Sequence, residues 1–219
     1  MLNKQLISTS VPTLKLHDSA FHATELMNEY CVRQLPVVEE EQFLGLVFEE
    51  DLVNLDENAE INTISAHFSR VSVHGNMHFI EAVQTANDYH LSVVPVVEKE
   101  TAFSGVILVP ELLRQLGKIT GASDPGGLIV LEMDQRNFSF AEISKLIETN
   151  DAQITQLNTS WDNTADSFLV TIKINKFEIS DIVATFQRYD YQVRYYFGEE
   201  LYENELKDNY DHLMNYLSI

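Results

Sequence analysis

Cysteine is almost absent from this 219-residue chain, with Cys31 its single example. One thiol excludes a disulfide framework and a four-cysteine zinc site, and it suits a reducing cytoplasm. Positive charge is scarce as well. Fourteen Lys and Arg stand against 34 Asp and Glu, a formal net charge of −20, which is the wrong sign for a phosphate backbone or an anionic bilayer. Nucleic-acid and membrane partners are therefore not expected. Long apolar runs are missing too: the stretch GVILVPELL at 105–113 is broken by Pro and Glu, far short of the ~20 residues of a membrane helix. The opening MLNKQLISTSVP has no apolar region of the kind a secretory signal needs. Nowhere does a G-x-S-x-G, P-loop, G-x-G-x-x-G or H-E-x-x-H pattern occur. What is plentiful is hydrophobic residues, 45% of the chain, enough for packed cores in one large or two to three small domains.

The first half repeats itself. Leu35-Pro36-Val37-Val38-Glu39 returns as Val94-Pro95-Val96-Val97-Glu98. Each copy is followed by a glycine and an apolar run, Gly45-Leu46-Val47-Phe48 and Gly105-Val106-Ile107-Leu108, and then by an acidic-leucine segment, Glu50-Asp51-Leu52-Val53 and Pro110-Glu111-Leu112-Leu113. Each copy is preceded by a helical pattern. Ala20, Ala23, Met27 and Tyr30 share one face, with Asp18 or Ser19 as cap; Phe79, Ala82, Val83 and Ala86 share another, with Asn76 as cap. Short alternating strands, Leu14-Lys15-Leu16 and Val71-Ser72-Val73, come before the helices. A unit of roughly 60 residues can hardly bury its sheet alone. Two copies packed sheet against sheet can.

These residues resemble the cystathionine-β-synthase (CBS) domain, and two tandem copies resemble the pair called a Bateman module. The resemblance spans about residues 6–117, with units expected at 1–58 and 59–119. It implies adenine-nucleotide clefts between the units, where backbone at the hydrophobic-Pro strand faces the base. A Ser or Thr three residues before an Asp contacts phosphate, and the Asp accepts from ribose hydroxyls. Carried over, this gives Arg33, Leu35, Pro36, Val37 and Asp51 in one cleft and Val94, Pro95 and Glu111 in the other. The Ser/Thr position is Phe48 in one copy and Leu108 in the other, neither a donor, and Glu49 and Glu50 add negative charge where phosphate would lie. A neutral adenosine-like ligand therefore fits better than a triphosphate. The same residues also suit a plainer role, with Asp51 capping a short helix and Arg33 at an exposed strand end.

A Gly-, Ser-, Asp- and Pro-containing stretch, GKITGASDPGG at 117–127, punctuates the chain, with a linker expected at 120–125. Beyond it, Leu128–Leu131, Ile154–Trp161, Phe168–Ile174 and Tyr191–Phe197 read as strands. Helical faces come from Ala141, Ile143, Leu146 and Ile147, then from Ile179, Ile182, Val183 and Phe186. That βαββαβ order is the ferredoxin-like pattern. After a CBS pair it resembles an ACT domain (126–198), and the whole resembles the acetoin-utilisation regulator family of bacterial proteins. The ACT ligand loop, typically Asp-Arg-x-Gly, maps onto Gln135-Arg136-Asn137-Phe138, with Arg136 and Asn137 as candidates and Phe138 in the glycine's place. Over 199–219, Tyr202, Leu206, Tyr210, Leu213 and Leu217 form the stripe of a final helix.

The fold expected is thus α/β: a tandem CBS pair plus an ACT-like unit and a terminal helix. His74 and His78 share a metal-like spacing, but Gly75 and Asn76 lie where a helix should begin. Cys31 suits a core position between helix and strand, and Trp161 a cross-strand packing role. Tyr189, Tyr191, Tyr195 and Tyr196 form an aromatic cluster suited to a dimer interface. The reading is a cytoplasmic, non-enzymatic, homodimeric regulator sensing an adenine-nucleoside-type molecule, with no metal and no fixed cofactor. Its alternative is a homodimeric scaffold whose clefts are degenerate.

Overall fold

In the computed structural model, which describes residues 1–99 and 101–198, the chain divides into two compact units at Leu116/Gly117. The final helix expected over 199–219 lies outside the described residues.

In the first unit both halves of the repeat fold alike. Helix α1 (Ala20–Glu29) leads to the hairpin β1 (Gln34–Glu39) and β2 (Gln42–Phe48), then to the short helix α2 (Glu49–Leu52). Strand β3 (Val73–His74) and helix α3 (Phe79–Asp88) lead to β4 (Val93–Glu98), β5 (Ala102–Leu108) and α4 (Val109–Ile119). The hairpins share their register, Val37 opposite Gly45 and Val96 opposite Gly105, with a bulge one residue later in each. Leu14 bridges Val37 in parallel, as Val73 pairs with Val96. Of the first short strand only Leu14 is realised; the second is Val73–His74.

The helix faces follow the spacing, since Ala20, Ala23, Met27, Phe79, Ala82 and Ala86 are buried. Tyr30 departs from it: it ends α1 as the C-cap and is exposed. Ser19 caps α1 by accepting from His22 N (3.1 Å). The cap of α3 is His78, not Asn76, its ring nitrogen accepting from Ile80 N (3.5 Å). Cys31, expected in the core, is exposed with φ of 52°.

The repeats meet edge to edge rather than only face to face. One five-stranded sheet runs β1-β2-β5-β4-β3, joined where Gln42 pairs with Ala102. Phe43 N donates to Thr101 O and Phe103 N to Glu41 O, both at 2.8 Å, and the rings of Phe43 and Phe103 stack at 6.2 Å. A single apolar core drawn from both repeats backs the junction. Each fully buried aliphatic side chain in it contributes about 1.5–3 kcal/mol.

The repeats are also interleaved. Residues 1–8 complete the second: Phe79 N donates to Met1 O, Asn3 N to Met77 O, and Ser8 bridges Val106. The segment 59–69 completes the first: Ala20 N donates to Ala59 O, Ile61 N to Asp18 O, and Leu46 pairs with Ser69. Both crossings pass over a glycine.

The second unit is ferredoxin-like. Its elements are β6 (Leu128–Met133), α5 (Phe140–Glu148), β7 (Ile154–Asp162), β8 (Ser167–Ile174), α6 (Ser180–Arg188) and β9 (Gln192–Phe197), in sheet order β7-β8-β6-β9. Ile143, Leu146, Ile147, Ile179, Ile182, Val183 and Phe186 are buried against Ile129, Leu131 and the inward residues of β8. Ala141 sits in the exposed first turn of α5 rather than on that face. Asp162 closes the β7–β8 turn by accepting from Thr164 N (2.9 Å) and Ala165 N (3.3 Å). The tyrosines do not form one cluster. Tyr191 packs on Phe186 (5.5 Å), Tyr195 on Phe197 (5.7 Å), and Tyr189 stands exposed.

Candidate functional site

A cleft of about 390 Å³ opens at the start of β1 and is lined by Arg33, Gln34, Phe48, Glu49, Glu50, Val53, Tyr89 and His90. Two elements of the first repeat and the end of α3 from the second bring these residues together. The volume falls in the range of small-molecule sites, roughly 300–1,000 Å³.

Its floor is a polar junction between the repeats. Gln34 is only 2% exposed. Its amide oxygen accepts from Ser92 N (2.9 Å) and Ser92 Oγ (2.7 Å), and its amide nitrogen donates to His90 O (3.4 Å). Arg33 N in turn donates to Ser92 Oγ (2.9 Å). The backbone repeats the symmetry: Glu49 N donates to Arg33 O and Val109 N to Ser92 O. A buried amide with this many partners is fixed, and leaving any of them unpaired would cost about 1–3 kcal/mol.

The walls carry opposite characters. Phe48 and Tyr89 offer ring surface, Arg33 a guanidinium, and Glu49 and Glu50 two carboxylates. The net charge of these ionisable side chains is negative, which opposes a polyphosphate and suits hydroxyls and amines.

Not every residue expected from the sequence reaches this place. Asp51 does not line the cleft; its carboxylate accepts from Phe48 N (3.0 Å) at the start of α2, the capping role open to it. Leu35, Pro36, Val37, Val94 and Pro95 are buried in the sheet. Glu111 accepts from Gln115 Nε2 (2.6 Å) and pairs with Arg114 along α4. Sequence reading missed Gln34, Tyr89 and His90. In the repeat Tyr89 and His90 correspond to Tyr30 and Cys31, and Cys31 and His90 share a positive φ of 52° and 53°, but only the fold brings Tyr89 and His90 beside Arg33.

In the second unit, Arg136 lines an open cavity of about 710 Å³ with Glu132, Asp134, Trp161, Asp166 and Gln192. Asn137 is not among its lining residues. Phe138 fills the space expected of a glycine, edge-on to Phe168 at 5.8 Å. Trp161 pairs across the hairpin with Phe168 but is half exposed. Arg194 pairs with Asp162 at 2.8 Å across the sheet. That hydrogen bond holds the Asp162 carboxyl below its ordinary range. Among the described residues, no cluster of three or more His, Cys, Asp or Glu is placed to hold a metal, and no helix is long and apolar enough to cross a membrane.

Residues 4–58 match the CBS domain family model. Among solved structures, a CBS domain pair/ACT domain protein from Thermotoga maritima is 21% identical, with a TM-score of 0.50 over 54% of this chain and 98% of that one. A putative acetoin utilization protein (AcuB) from Vibrio cholerae is 20% identical, with a TM-score of 0.47 over 57% and 98%. CBSX2, solved in complex with AMP, is 18% identical, with a TM-score of 0.47 over 54% and 97%. Residues 4–58 are thus similar to a CBS domain, and over the 54% of the chain that it covers the Thermotoga likeness shows the fold of a CBS-domain pair.

Proposed function

We propose, for a chain that opens on a CBS domain and carries the fold of a CBS-domain pair, that it is a non-enzymatic regulator. In this reading it senses a neutral or cationic adenine nucleoside in the Arg33 cleft, and the ferredoxin-like unit acts as an ACT-like partner module in a homodimer. The observation that carries this is the cleft itself, a ligand-sized space whose floor, Gln34 and Ser92, ties one repeat to the other. A molecule seated there touches both repeats, so it can favour one arrangement of them over another. Only such differential affinity makes binding a signal. Phe48 and Tyr89 supply stacking area for a base, and the Glu49 and Glu50 carboxylates supply acceptors for ribose hydroxyls. Asp51, held by the backbone of Phe48, supports the wall rather than the ligand.

Thermal unfolding of the full chain with adenosine, S-adenosylmethionine, AMP and ATP tests the reading. Adenosine or S-adenosylmethionine should raise the melting temperature and ATP should raise it least. At a hundred times the dissociation constant the stabilisation is about 2.7 kcal/mol. The double variant Glu49→Gln/Glu50→Gln should lose the nucleoside shift and keep its own melt. Four flat curves at millimolar ligand would refute the sensor, leaving the scaffold with degenerate clefts.

A further inference from the structure

The floor of the Arg33 cleft is more polar than the fold requires. Gln34 lies opposite Phe48 in its hairpin, just as Val93 lies opposite Leu108 in the other, and both Gln34 and Val93 are buried. A valine therefore satisfies this strand position. An amide in its place costs free energy unless its hydrogen bonds are made. The walls diverge in the same way: Phe48, Glu49 and Glu50 answer to Leu108, Val109 and Pro110 in the second repeat. The polar lining thus belongs to this cleft and is not a product of the repeat.

The partners of Gln34 fix which way its amide points. Ser92 N can only donate, so the atom 2.9 Å from it is the amide oxygen, which also accepts from Ser92 Oγ. The amide nitrogen is then turned to His90 O at 3.4 Å. That nitrogen carries two hydrogens, and among the described residues it meets no second acceptor. His90 O has two lone pairs, and among the described residues it accepts from Gln34 Nε2 alone. Gln34 and His90 both line the cleft. A donor and an acceptor with capacity to spare therefore lie side by side at its floor.

We infer, resting on the reading that the cleft takes a nucleoside, that Gln34 is its specificity-determining residue and selects adenine over 6-oxopurines. Adenine presents a ring-nitrogen acceptor beside its 6-amino donor, the complement of Gln34 Nε2–H beside His90 O. Hypoxanthine and guanine carry an oxygen at that position. It sets acceptor against the His90 carbonyl, and buried groups left unpaired in this way reject a ligand strongly. The rings of Phe48 and Tyr89 stack on any base, so discrimination falls to this pair. Because the same amide holds Ser92 of the other repeat, the base edge is read at the joint between the repeats.

Calorimetric titration of the full chain with adenosine and inosine tests this. Adenosine should bind roughly tenfold more tightly than inosine, or better, and the preference should fall below about threefold in Gln34→Leu. Two analogues that each lack one ring acceptor, 1-deazaadenosine and 7-deazaadenosine, keep the test alive on the parent chain if that variant does not fold. One of the two should bind roughly tenfold more weakly than adenosine. Equal binding of adenosine and inosine would overturn the inference and leave the sensor standing. So would a preference that survives Gln34→Leu, or two deaza analogues as tight as adenosine. Binding of none of the four nucleosides would instead end the sensor reading, and this inference with it.

Discussion

Two glycines show at the scale of single residues how the repeat is built. Gly45 and Gly105 adopt φ of 154° and 138°, and a Cβ on either would collide with the segment crossing it: Phe68 Cβ at 2.7 Å in one case, Ile7 Cγ2 at 2.5 Å in the other. The glycine is thus needed twice for one reason, the close passage of a chain from outside its own repeat. Gly105→Ala should lower the unfolding free energy by about 2–3 kcal/mol through backbone strain and the forced retreat of Ile7. Chemical denaturation reads this directly, and a variant as stable as the parent would show that residues 7 and 8 do not lie across β5. His17 offers a milder probe at the surface. Its ring nitrogen lies 3.0 Å from Glu60, whose hydrogen bond and charge raise the imidazole above 6.5. The folded state therefore favours the protonated ring. The contribution is complete below pH 6.5 and is lost as pH climbs through the raised value. The titration of His17 followed by NMR should have its midpoint above 6.5 and return toward it in Glu60→Gln; a midpoint at or below 6.5 in the parent chain would deny the pair.

At the scale of elements, what the sequence disclosed and what it hid have separate physical causes. Hairpins and helices were legible because their burial alternates with a fixed period, two for β8 and near 3.6 for α3, and because the repeat gave each a second witness. Caps were harder. Ser19 was readable because a serine is a common cap, whereas His78 takes the same place in α3 with a residue rarely used there. The connections were hidden altogether. Nothing in the spacing of residues 1–8 says that they belong to the second repeat, since pairing over seventy residues of separation leaves no periodic trace. The site suffered most. The resemblance points to Asp51 by position; its carboxylate accepts from Phe48 N, while Glu49 and Glu50 are the acidic residues that line the cleft. Tyr89 and His90 come from the other repeat, and only the fold unites them with Arg33.

For the molecule as a whole, the decisive fact is where the cores are. The first unit holds one apolar core shared by both repeats, so neither repeat is a folding unit by itself, but the pair is. The interleaving strengthens this: cutting between the repeats would strip residues 1–8 from the second and 59–69 from the first. A fragment of residues 1–120, which keeps α4 intact to Ile119, should therefore unfold in one cooperative transition, as single domains of this size do. Because Arg33, Gln34, Glu49, Glu50, Tyr89 and His90 all lie within it, it should also keep any nucleoside-dependent rise in melting temperature that the full chain displays. A fragment limited to residues 1–58 should instead remain unfolded, its half of the core left without a partner. If the 1–120 fragment folds but no longer responds while the full chain does, the sensing site requires residues beyond 120, and the cleft beside Arg33 is not where the ligand acts.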